Sequence, residues 1–306
     1  MADFKSIDIS ETALNDFDHE VMEALLRDHT TQRNILWCTK DYEAYGKGFS
    51  EQDEITVEKI TGEYGNLIRP RALKSKDEQK DRTRDKAEVF TPSWICNAQN
   101  NLIDDSWFGH EGVFNKENPD HTWTTNKEPV SFPDGKTWKD YVRETRLEIT
   151  CGEAPYIASR YDTTTGELIP VEDRIGLLDR KLRVINENVD NHEDWLNWVQ
   201  TAYQNVYGYE WQGDSLLIAR ETLLQTFFDY HAVKFGEDFP LQKKSIRYIA
   251  YIISWNFWQM DGLKFCPPGE EPHEKNIFEP SNLCLIKDWR KPSNQQKIEF
   301  KSLINC

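Results

Sequence analysis

Four clusters of side chains able to bind a ligand or do chemistry follow one another in order along the chain. They are Phe90-Thr91-Pro92, Glu148-Ile149-Thr150-Cys151-Gly152-Glu153, Tyr207-Gly208-Tyr209-Glu210 and Gln259-Met260-Asp261-Gly262-Leu263. Acid-x-x-Cys-Gly just after an apolar approach (Leu147) is how a doubly wound sheet turns its first strand toward a nucleotide, because small residues let the backbone come close to the ligand. Glu210 closes a second strand and Asp261 a third, where such a sheet places further ligand contacts. The same letters also fit a plain strand-to-loop turn, a surface acid and an isolated Asp-Gly turn. Their order along the chain is what raises them above that.

These clusters need elements to hold them. Strands are expected at 147–150, 206–211, 256–260, 283–287 and 297–303, each short and apolar. Between them lie helical periodicities at 174–188, 194–204, 215–234 and 241–254, of which Leu216, Leu217, Ala219, Leu223, Leu224, Phe227 and Phe228 give the strongest. Strands alternating with helices predict an α/β fold with a parallel sheet. Further helices are expected at 11–30, 74–87, 92–103 (with Pro92 near its first turn) and 138–146. Residues 104–139 are punctuated by Gly, Pro and Trp without a period. They read as an irregular insertion that packs through Trp107, Phe108, Phe114 and Trp123. Residues 1–68 then form a helical, mixed N-terminal extension, and 69–306 the α/β domain.

With 306 residues the chain is long enough for a full core. A net charge of −16 argues against a simple nucleic-acid-binding protein, since phosphate contacts require Lys and Arg. One basic island, Arg69 to Lys86, carries Arg69, Arg71, Lys74, Lys76, Lys80, Arg82, Arg84 and Lys86 among four acids. It is either a solvated mixed-charge helix or a phosphate-contacting segment beside Phe90-Thr91-Pro92. Cys38, Cys96, Cys151, Cys266, Cys284 and Cys306 are dispersed, which predicts reduced thiols and neither a disulfide framework nor a metal site. The scattered histidines likewise lack ligand spacing. No apolar run is long enough to span a bilayer, and the acidic N-terminus resembles no targeting peptide, so a cytoplasmic location is expected. A GxSxG elbow and a GxxxxGK[ST] phosphate loop are both missing.

Taken in order, the clusters resemble the S-adenosylmethionine (SAM)-dependent adenine-N6 DNA methyltransferases, and in particular restriction-modification methylase subunits. The resemblance covers roughly residues 60–300. It implies a Rossmann-like sheet that binds SAM, with Phe90, Thr91 and Pro92 against the methionine end of the cofactor. Glu148, Cys151 and Gly152 would form the cofactor turn. Glu210 would hold the ribose, and Asp261, with Leu263 nearby, the adenine. This family ends its fourth strand in Asn/Asp-Pro-Pro-Tyr/Phe, which orients and stacks the flipped target adenine. No such tetrapeptide occurs here. Asp288-Trp289, after Leu283–Lys287, holds the equivalent place in strand order as the catalytic candidate, while Cys266-Pro267-Pro268-Gly269 has the prolines without acceptor or aromatic. The resemblance implies DNA as partner, reached through Arg69–Lys86, and a specificity or restriction subunit as a second one. The missing prolines and the acidic charge leave a non-catalytic methylase-fold protein, acting in phage–host defence, as the alternative.

Overall fold

The computed structural model describes residues 6–86, 90–273, 275 and 279–304, with the side chains of 81, 85 and 86 excepted. Cys306 and the Lys86 side chain therefore lie outside the described residues. The stretch expected to be one helix at 11–30 is two, α1 (Glu11–Phe17) and α2 (His19–Leu26). Asp18 separates them: its extended backbone ends α1, and its carboxylate accepts the Glu20 N–H to cap α2. The basic island forms α3 (Lys76–Lys86), and Ser93–Phe108 forms α4. Helix α4 thus takes in the first residues of the segment expected to be an irregular insertion. The next part of that segment is a small antiparallel hairpin, β1 (Asn115–Glu117) with β2 (Trp123–Thr125).

Beyond α5 (Trp138–Arg143) the chain becomes mixed α/β around a three-stranded parallel sheet. Strand β3 (Arg146–Glu148) precedes α6 (Leu177–Asn188) and α7 (His192–Gln204). Strand β4 (Val206–Glu210) leads into α8 (Gly213–Phe235), and α9 (Lys243–Asn256) into β5 (Phe257–Gln259). The order is β3-β4-β5, with Glu148 opposite Gly208 and Glu210 opposite Gln259. All three strands consequently end at one edge, and the three acid-bearing or amide-bearing termini come together there.

The fourth expected strand does not join this sheet. Strand β6 (Leu285–Lys287) pairs antiparallel with β7 (Lys297–Glu299), after which Lys301–Ile304 is helical (α10) where a strand was expected to continue. The reason lies in the side-chain alternation of the central sheet. Val206 and Phe257 face the main core, whereas Tyr207, Tyr209, Trp258 and Met260 form a second apolar surface on the other side. Ile286, Cys284 and Phe300 cover that surface, so the apolar run at 283–287 is buried against a face of the parallel sheet and not beside one of its strands. The main core is shared: Leu14, Val21, Leu25, Trp37 and Ile55 belong to the same apolar cluster as Val206, Leu223 and Phe257.

Candidate functional site at the carboxyl edge of the parallel sheet

The residues after β3 make an unusually contorted turn. Thr150, Gly152 and Ala154 all have left-handed backbones, with φ of 47°, 54° and 61°. Such a turn is costly for Thr and Ala, so its persistence marks a place where the fold needs a specific backbone path. It is fixed from both sides. Cys151 N donates to Tyr209 O at 2.9 Å, and Ala154 N to Cys151 O at 2.7 Å. A Cβ on Gly152 would stand 3.7 Å from the Phe90 ring, which places Phe90 directly on the turn. The carbonyl of Thr91 accepts from the Thr163 hydroxyl at 3.2 Å, and Ser93 N donates to Asp162 at 2.7 Å. Three clusters far apart in sequence thus meet at one edge: Phe90-Thr91, the Glu148–Gly152 turn, and Glu210.

Glu210 is buried and organises this edge. One carboxylate oxygen accepts Gly152 N–H at 2.8 Å, and the other accepts Trp211 N–H at 2.9 Å and Gln212 N–H at 3.2 Å. Burial raises its pKa while these three donors oppose the rise. Glu148 is buried beside it with less support. Its Oε1 takes a long 3.4 Å contact from Tyr156 N, the Ile157 N–H also favours its charged form, and its Oε2 has no hydrogen-bond partner. Burial, with the nearby Glu210 charge added, pushes the Glu148 carboxyl well above its usual range. An orphaned buried carboxyl oxygen is uncommon and suits a donor or cation brought by a ligand. Cys151, also buried, has its thiol pushed far up for the same reasons, so it is a small packing residue and not a nucleophile.

Asp261 and Leu263 do not join this group in the same way. Met260 N pairs with Glu210 O at 3.0 Å, which places the segment at the carboxyl edge. The Asp261 carboxylate, however, turns back to cap its own turn, accepting Leu263 N at 2.9 Å and Lys264 N at 3.1 Å, and Leu263 is 93% exposed. Leu263 therefore packs against nothing at the site.

Asp288 and Trp289 are at the opposite end of the sheet. The Tyr207 hydroxyl donates to Lys287 O at 2.8 Å, and Trp289 Nε1 donates to Asn256 Oδ1 at 2.7 Å. Asn256 in turn holds Val206 O, the first carbonyl of β4, so the pair sits by the amino ends of the strands. Asp288 forms a two-pronged ion pair with Arg290 (2.7 and 3.0 Å), which lowers its pKa. Trp289 helps Tyr251 and Trp255 surround the Lys287 ammonium, 4.5–5.1 Å from each ring centre. Both residues have local structural work, and the catalytic assignment made from strand order is corrected accordingly.

Part of the basic island also faces inward. Arg82 is buried and bonds Asp214 (2.7 Å), Asp41 (2.8 Å) and Gln212 (2.8 Å). Lys74 and the Tyr42 hydroxyl reach the same Asp214. Asp214 is in the first turn of α8 and is held far below the usual carboxylate range by Arg82 and Lys74, against the cost of its burial. Arg71 lies 4.9 Å over the Phe90 ring, and its backbone N–H donates to Glu153 at 2.7 Å. This network straps α3 and the approach to Phe90 across the carboxyl edge. Its sequence signal was the coincidence of a basic run with an acid opening α8, two residues beyond the Glu210–Gln212 segment it braces.

No group of three or more His, Cys, Asp or Glu side chains that could hold a metal ion occurs among the described residues. The five described cysteines are free thiols. Among the described residues, no helix is long and apolar enough to cross a membrane. No protein-family model matches the chain, and no curated protein or solved structure is significantly similar to it.

Proposed function

We propose that the carboxyl edge of the parallel sheet binds SAM and that the chain is a methylase-type protein of the adenine-N6 DNA methyltransferase class, working in the cytoplasm. The observation that carries this proposal is the meeting of Phe90-Thr91, Gly152 and Glu210 at one strand edge, beside the unpartnered oxygen of Glu148. Three consecutive parallel strands in the order first-second-third are compatible with one half of a Rossmann-like sheet, and nucleotides bind sheets of that kind at their carboxyl ends.

On this proposal Glu210 holds the ribose hydroxyls, and the buried Glu148 acid, with the Cys151-Gly152 turn, faces the methionine end of the cofactor. Phe90, Thr91 and Pro92 wall that end. When bound, SAM supplies a methyl group already activated on a sulfonium. The protein's task is then to orient the accepting amine and exclude water. DNA is the proposed partner, approached by the exposed Lys76 and Lys80 of α3, with a separate specificity or restriction subunit supplying sequence recognition.

The placement of Asp288 and Trp289 at the amino end favours a second function, in which the chain binds SAM without transferring its methyl group. Incubation with methyl-labelled SAM and unmodified DNA separates the two. Label in adenine N6 supports the methyltransferase. SAM binding without incorporated label supports the non-catalytic protein. Neither binding nor label contradicts both.

A further inference from the structure

Resting on the cofactor site proposed above, we infer that the cleft between the start of α4 and the β1–β2 hairpin is the stacking site for an unpaired DNA base, with Trp94 as its platform. Trp94 follows Phe90-Thr91-Pro92 by two residues, so the cleft opens within about 10 Å of chain from the cofactor wall. The cleft measures about 350 Å³ and is lined by Trp94, His121, Thr122, Trp123, Asp162 and Glu167 with their neighbours. That is the lower range of small-ligand sites, suited to one base and its sugar.

Three observations point to a flat ring as occupant. The Trp94 indole is 37% exposed although it stands in the wall of the cleft. The His121 imidazole lies on it at 4.0 Å between ring centres and 23° between planes, which is a stacked heterocycle already in place. His121 also takes up a left-handed backbone (φ 67°) at the hairpin tip to present that ring. A backbone outlier at a binding cleft is a reason to look for function.

The platform is rigid. Asn97 and Asn115 bond each other in both directions (3.0 and 2.8 Å), and Asn101 reaches Asn115 and Glu117. On the far side Trp123 Nε1 donates to Asp173 O, and the Thr125 hydroxyl to the Asp173 carboxylate. Asp162 spends its oxygens on Ser93 N and on Thr164 and Thr165 N–H groups. Glu167 is exposed at the cleft and offers a carboxylate to ring amines, while the Thr122 hydroxyl is engaged with Asp120 and Asn118.

The described lining carries the carboxylates of Asp162, Glu167 and Asp173, which suit a neutral ring better than a phosphate. Stacking on an aromatic face accepts any base, and an acidic rim favours one that carries an amino group. In the bound form the base takes the place of the His121 ring on Trp94.

The test uses the full chain and a short single-stranded oligothymidylate carrying one 2-aminopurine, whose fluorescence is quenched on stacking. Trp94→Ala, Trp94→Phe and the native protein are compared, with thermal melting as the folding control and SAM titrated into the same samples. Quenching by the native protein and by Trp94→Phe, weakened at least tenfold in Trp94→Ala with SAM affinity unchanged, is the expected result. Absence of quenching by the native protein, or equal quenching by Trp94→Ala, overturns the inference. Loss of SAM binding with quenching intact counts against the cofactor site alone.

Discussion

Glu148 carries the sharpest consequence at the scale of single residues. Its folded-state pKa lies well above the ordinary 4.5, through burial and the neighbouring Glu210. Folding therefore favours the protonated acid: its contribution to stability is complete below about pH 4.5 and is lost as pH rises toward the folded value. Glu148→Gln keeps the shape without the charge. Thermal melts of the ligand-free protein should show Glu148→Gln more stable than the native chain at pH 8, by about 1–2 kcal/mol, with the gap closing by pH 5. A variant less stable at pH 8 would mean that the Glu148 charge is welcome in the ligand-free fold. The place of Glu210 at the end of β4 was legible in the sequence, because the short strand run that starts at 206 stops there. The orphaned state of Glu148 was not, since it depends on burial beside Glu210, distant in sequence, and on how far the Tyr156 N–H reaches. Asp288 and Trp289 misled because Arg290 and Asn256, which occupy them, carry no motif.

At the scale of elements, Arg82 decides how α3 sits. It neutralises Asp214, a fully buried carboxylate, together with Lys74. Arg82→Ala leaves that charge short of its main partner and should cost about 3–5 kcal/mol, read as a lowered midpoint in urea unfolding. A change under about 1 kcal/mol would show that the strap is not held by this ion pair. The three strands of the parallel sheet were legible within a residue or two, and so were α7 to α9, while α6 begins three residues later than its expected start at 174. Gly208 explains part of the Tyr-Gly-x-Glu cluster. A Cβ there would meet the Phe257 ring at 2.6 Å, so the glycine permits close strand packing beside Cys151. Strand β6 shows what an apolar run cannot tell. Leu283–Ile286 says that the segment is buried, and not whether it lies in a sheet or on one. Asp18 split the first helix for a local reason, its capping carboxylate, that a hydrophobic period passes over.

At the scale of the whole molecule, the N-terminal helices and the parallel sheet share one apolar core. The strap, the turn after β3 and the start of α8 then converge on a single edge, where the buried Glu210 is held by three backbone donors in a chain of net charge −16. Organised buried acids at strand ends are the basis for the SAM site, and its loss would remove the ground for both proposed functions. Calorimetric titration of the folded protein with SAM and with its demethylated product tests this most directly, in parallel with Glu210→Ala. The expected result is micromolar binding by the native chain that Glu210→Ala abolishes. Absence of heat with either ligand, or equal affinity in Glu210→Ala, would contradict it.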